Sequence, residues 1–129
     1  MKYYNSKIIT NTTLAEMRPK VVEELKKEDF GVLTEIDLKA TMKNKLNKDY
    51  LPHVILGACN PEYADKVLSL EPTISTMLPC NVTIRELGNG NVEVAIIDPS
   101  AAMGAVGNSK LEEAANEVQN KLMRVLNNI

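Results

Sequence analysis

The residues able to do chemistry are few and fall at definite places. The chain has 129 residues with two cysteines and one histidine. Cys59 ends the apolar run His53-Val54-Ile55-Leu56-Gly57-Ala58-Cys59, and Asn60-Pro61-Glu62 follows at once as a helix start. Cys80 opens a second apolar run, Leu78-Pro79-Cys80-Asn81-Val82. A pair of thiols can cycle with a disulfide or hold a soft metal such as Cu(I) or Zn(II). Neither a CxxC pair nor a Cys/His finger spacing is present, so any such role needs the fold to bring Cys59 and Cys80 together. His53 and Cys59 share a strand face but stand roughly 20 Å apart in an extended strand, too far to ligate one metal. Glu35 and Asp37 alternate on one strand face and form the best candidate acid/base pair. A solvated polar face explains them more simply. No nucleophile elbow, phosphate loop, HExxH or EF-hand pattern occurs.

Whether the cysteines meet depends on the strands that carry them. If the strands ending at Cys59 and starting at Cys80 were parallel, the thiols would lie at opposite ends of the sheet. If they are antiparallel, the two ends coincide. The clearest local signal favours the antiparallel case. Cys80, Val82 and Ile84 alternate with Asn81, Thr83 and Arg85, and Val92, Val94 and Ile96 alternate with Glu93, Ala95 and Ile97. Gly88-Asn89-Gly90 between them supplies the positive-φ residues of a three-residue hairpin turn. Pairing about that turn sets Arg85 opposite Glu93, Val82 opposite Ile96 and Cys80 opposite Asp98. Cys59, Cys80 and Asp98 then gather at one edge of the sheet, where helices start after Asn60 and Asp98. Helix N-termini lower the pKa of nearby thiols, which makes Cys59 a candidate thiolate. Against this, free cysteine commonly behaves as a small buried hydrophobe, and Asn60 and Asp98 are explained as caps.

The remaining elements follow from periodicity. Tyr3 to Thr10 is rich in β-formers and reads as a strand. Thr13 and Glu16 fit a capping box, after which Leu14, Met17, Val21, Val22 and Leu25 form one helical stripe running to about Glu28. Phe30 to Asp37 reads as a strand with Val32, Thr34 and Ile36 on one face and Leu33, Glu35 and Asp37 on the other. A short helix over Leu38 to Asn47 carries Leu38, Met42 and Leu46, with Lys39, Lys43 and Lys45 on a solvated face. The near-continuous apolar run Val54 to Ala58 predicts a strand buried on both faces. Asn60 caps the next helix with Pro61 at its first position, Tyr63, Ala64, Val67 and Leu68 give it a buried stripe, and Pro72 stops it. Ile74 to Leu78 forms a further turn. Asp98-Pro99 starts a short helix. Ser109 with Glu112 caps the last one, whose stripe is Leu111, Ala115, Val118, Leu122, Val125 and Ile129.

Strands grouped about a hairpin and flanked by long helices make an α+β domain, with helices on one face of a mainly antiparallel sheet of about five strands. The length suits a single domain spanning 1–129. The composition, 44% hydrophobic and 25% charged, is that of an ordinary globular protein. A net charge of −2 and four Tyr, one Phe and no Trp argue against a basic or stacking nucleic-acid surface. No signal-peptide core and no run of membrane-spanning length are present, so the expected setting is cytoplasmic, with free thiols.

Four stretches in order, Phe30-Gly31-Val32-Leu33-Thr34-Glu35-Ile36-Asp37, Ile55-Leu56-Gly57-Ala58-Cys59-Asn60-Pro61, Leu78-Pro79-Cys80-Asn81-Val82 and Ile97-Asp98-Pro99, resemble the domain-of-unknown-function family 302, a group of small, mostly bacterial and archaeal domains. The resemblance covers nearly the whole chain. It implies a TBP-like β-α-β(4)-α fold with short inserted helices, and a homodimer; it transfers no activity. The expected function is a non-enzymatic, homodimeric module binding a small molecule or a protein, without nucleic-acid or membrane partners and with no cofactor indicated. Its candidate site is the sheet edge bearing Cys59, Asn60, Cys80, Asn81 and Asp98. The alternative is a thiol redox or soft-metal protein using Cys59 and Cys80.

Overall fold

A computed structural model describes residues 2–129. The elements run β1 (Tyr4–Ile9), α1 (Leu14–Lys27), β2 (Gly31–Asp37), α2 (Leu38–Leu46), β3 (His53–Cys59), α3 (Pro61–Leu70), a 3₁₀ turn (Pro72–Met77), β4 (Cys80–Glu86), β5 (Val92–Ile97), α4 (Pro99–Gly104) and α5 (Ser109–Asn127). The five strands form one sheet in the order β1-β5-β4-β3-β2, with every neighbouring pair antiparallel. This is the α+β architecture that the hairpin and flanking helices imply.

The hairpin sits at the middle of the sheet and sets its register. Gly88 and Gly90 take φ of +84° and +81°, a region open to glycine without strain. The Leu87 N–H donates to the Asn91 carbonyl at 3.0 Å and closes the turn. Val82 then pairs with Ile96 and Arg85 with Glu93, whose Nε–Oε1 distance is 2.8 Å. Alternation sends Val54 and Leu56, Val82 and Ile84, and Val92, Val94 and Ile96 to one face, where all are buried. Met17, Val21 and Leu25 of α1 join the same core, as do Leu111, Ala115, Val118, Leu122 and Val125 of α5. Each such side chain contributes about 1.5–3 kcal/mol on burial, so this single seam is the main source of stability. Helix starts are fixed by side chains: Thr13 accepts from the Glu16 N–H, and Asn60 from the Tyr63 N–H.

Three local expectations are corrected. A bulge between Val32 and Thr34 shifts the register of β2, so Val32, Glu35 and Asp37 pair with the covered-face residues Ala58, Leu56 and Val54. Thr34 and Ile36 fall on the opposite face beside Gly57 and Ile55, and Leu33 is left 68% exposed. One extra residue reverses alternation, and composition does not betray it. Second, β3 is less buried on one side than on the other: Ile55 is half-buried on the face away from α1 and α5. Gly57 is buried because Thr34 and Pro79 lie against it there. Third, Asn108, not Ser109, caps α5, accepting from the Lys110 N–H at 3.0 Å. Helix α2 buries none of its residues and serves as a connection between β2 and β3.

Candidate functional site

Antiparallel pairing of β3 with β4 makes the end of one strand meet the start of the other. Cys80 pairs with Ala58, and Cys59 lies one step further along β3, where it pairs with Gly31 of β2 on its other side. The two residues are therefore one register step apart across the strand ends, on alternate sides of the pleat, and both thiols are free. Because β3 and β4 lie inside the five-strand order, the meeting point is at the end of the sheet and not along a lateral edge. Immediately after Cys59 the chain turns into α3. Asn60, only 5% exposed, accepts the Tyr63 N–H on its Oδ1 at 3.1 Å, and Pro61 takes the first helical position. Its missing N–H costs nothing there.

Between α3 and the strand ends is a cavity of about 270 Å³. Its walls include Leu33 from the β2 bulge, Cys59, Tyr63 and Leu68 of α3, Pro79 and Cys80, and no charged side chain lines it. Cys80 is buried and Cys59 half-buried. Burial pushes the Cys80 thiol up to about 12, with Cys59 adding to the shift. Loss of water disfavours the thiolate, so Cys80 stays protonated at neutral pH. Tyr63 is 5% exposed, and no protein group is within hydrogen-bond reach of its buried hydroxyl. Burial, and secondarily the nearby Cys80, push this hydroxyl's pKa upward, so it too is neutral.

The candidate residues divide. Cys59, Asn60 and Cys80 line the cavity. Asn81 is exposed on the uncovered sheet face, where it lines a separate groove of about 400 Å³ with Tyr4, His53, Thr83 and Arg85. Asp98 lines neither; its Oδ1 accepts from the Ser100 and Ala101 N–H groups at 2.9 and 3.2 Å and caps α4. The other chemistry-bearing residues are also in structural use. Arg18 donates through Nε to both carboxylate oxygens of Glu35 at 3.1 and 3.0 Å, holding that carboxyl below the usual range. Asp37 caps α2 by accepting from the Ala40 N–H at 3.0 Å. His53 stands at the far end of β3 from Cys59, opposite Arg85. Burial, and next the Arg85 charge, hold its imidazole below the ordinary value. Among the described residues, no group of three His, Cys, Asp or Glu side chains could hold a metal ion, and no helix is long and apolar enough to cross a membrane.

Tyr63 is the residue that reading the sequence for chemistry passes over. It belongs to the buried stripe of α3, and only the rule that a buried tyrosine hydroxyl normally finds a partner marks it out.

A five-stranded antiparallel sheet, helices packed on one face and thiols where β3 meets β4 define a small α+β domain. Residues 6–129 match the model of the family described as "Domain of unknown function DUF302", and the chain belongs to that family. Among solved structures it is similar to the crystal structure of an uncharacterised conserved DUF302 protein from Bacillus stearothermophilus. The two are 26% identical with a TM-score of 0.90, over 99% of this chain and 98% of that one. No protein with a curated description matches.

Proposed function

We propose that this protein is a homodimeric, non-enzymatic binding module, working in the reducing cytoplasm, whose ligand site is the cavity between α3 and the ends of β3 and β4. The observation that carries this reading is the cavity itself: a half-open, almost wholly apolar space walled from different elements by Leu33, Cys59, Leu68, Pro79 and Cys80. Small-molecule sites are concave and lined mainly by apolar side chains, as this one is. The carboxylates that acid/base catalysis needs are engaged elsewhere, as caps or with Arg18. Support for the dimer comes from the sheet face away from α1 and α5, where Ile36, 47% exposed, continues across the sheet into the half-buried Ile55, Thr83 and Ala95.

Two measurements test the parts separately. Size-exclusion with light scattering at micromolar concentration is expected to give twice the 14.3 kDa chain mass; the monomer mass overturns the dimer. A small-molecule fragment set followed by amide chemical shifts is expected to perturb Cys59, Asn60, Ala64 and Leu68. Perturbations confined to Tyr4, Thr83 and Ala95 move the site to the groove on the open sheet face. In the competing reading, thiol redox or soft-metal binding by Cys59 and Cys80, burial makes Cys80 a poor attacking thiol, so Cys59 would have to attack first.

A further inference from the structure

We infer that the groove of about 400 Å³ on the sheet face away from α1 and α5 is a second ligand site, which takes a small carboxylate carrying an aromatic ring. The register shows how the groove is made. Arg85 stands between His53 of β3 and Glu93 of β5, in one row across the face. The next row on that face, two residues along each strand, sets Thr83 beside Ala95. One row further, Ile97 pairs with Tyr4 of β1. Short side chains in the middle row leave a trough between longer ones, and the outer rows lie roughly 13 Å apart. The charges along it are unequal. Among the described residues, Glu93 is the only carboxylate in the lining; it is 18% exposed and accepts from the Arg85 Nε at 2.8 Å. Arg85 is 46% exposed, and its terminal nitrogens make no hydrogen bond to the described residues. At the other end, the Lys2 Nζ lies 5.4 Å from the centroid of the Tyr4 ring. Two cations therefore face one engaged carboxylate, and the guanidinium presents donors in the planar geometry that a carboxylate accepts. Tyr4, Ala95 and Ile97 supply contact for the ring. The groove shares no lining residue with the cavity beside Cys59, so this inference stands apart from that site. Thr83 and Ala95 also belong to the face proposed for the dimer; the trough is a depression there, which a second copy can bridge without filling.

Three probes separate the contributions: 3-phenylpropionate carries ring and charge, 3-phenylpropanamide keeps the ring without the charge, and propionate keeps the charge without the ring. Each is titrated into the protein and followed by the amide shifts of Tyr4, Thr83 and Ala95. In the wild type 3-phenylpropionate is expected to bind tightest, by at least about threefold over either of the others, and high salt is expected to weaken it while leaving the amide unchanged. Arg85→Gln combined with Glu93→Gln removes the guanidinium at constant net charge, and there the preference for the acid over the amide disappears. Ala95→Leu fills the floor of the trough and weakens both ring-bearing probes. An amide that binds the wild type as tightly as the acid, or an acid preference that survives in the double variant, overturns the inference. Shifts at Cys59, Ala64 and Leu68 without shifts at Tyr4, Thr83 and Ala95 overturn it too, and leave the cavity as the ligand site. If a variant does not fold, the order of the three probes and the salt dependence in the wild type decide.

Discussion

Burial, more than charge, sets the chemistry at Cys80. The helix start beside Cys59 suggests an activated thiol, but Cys80 is removed from water and pushed up to about 12. Iodoacetamide at pH 8 is therefore expected to modify Cys59 alone in the native protein, and both cysteines once the chain is denatured. Intact-mass measurement checks this, and rapid native labelling of Cys80 contradicts it. Glu35 shows the opposite effect, since its pairing with Arg18 favours the charged form. Its folded pKa lies below the unfolded value of about 4.3, so the pair contributes above that pH and the contribution fades as pH falls through the lower folded value. Both side chains are more than a third exposed, at 41% and 35%, and solvent screens them. Glu35→Gln is accordingly expected to cost no more than about 1 kcal/mol at pH 7 and nothing by pH 2, read from urea melts at the two pH values.

At the scale of elements, sequence reasoning works where a residue's local signal is also what tertiary structure uses. The alternation on either side of Gly88-Asn89-Gly90 fixes the β4–β5 register, and Asn60-Pro61 and Asp98-Pro99 fix two helix starts. From these the strand ends bearing Cys59 and Cys80 are expected to coincide; in the fold the two residues are one register step apart, on alternate sides of the pleat. What is hidden is whatever depends on long-range packing. The β2 bulge that turns Leu33 outward has no signature in the order of residues, and it supplies one wall of the cavity. Asn81 and Asp98 share sequence neighbourhoods with Cys80 and a helix start, yet alternation puts Asn81 on the open face and capping commits Asp98. Gly57 is another such place. A Cβ there would lie 2.2 Å from Thr34 Oγ1 and 2.8 Å from Pro79 Cγ, so the end of β3 is held against both. Gly57→Ala is expected to lose about 1–3 kcal/mol in chemical denaturation, and Thr34→Ala in the same chain to recover only part of it, because the Pro79 ring remains. A neutral Gly57→Ala contradicts this packing.

For the whole molecule, the sheet's two faces divide the work. One is sealed by α1 and α5 and supplies the stability. The other, away from α1 and α5, carries the exposed Ile36 beside Ile55 and is the surface on which the proposed dimer rests. The cavity lies at the end of the sheet, between α3 and the strands, where the apolar core leaves Cys59 half-buried. Filling it tests the account most directly. Ala64 is half-buried on the cavity wall, and Ala64→Phe places a ring where the ligand would sit. Ethylbenzene, an apolar probe suited to this lining, is titrated by amide chemical shift into the wild type and Ala64→Phe side by side. The predicted result is binding at Cys59, Asn60 and Leu68 in the wild type, weakened at least tenfold in the variant while the rest of its spectrum stays that of the folded protein. Equal affinity in the two proteins would contradict the placement of the site.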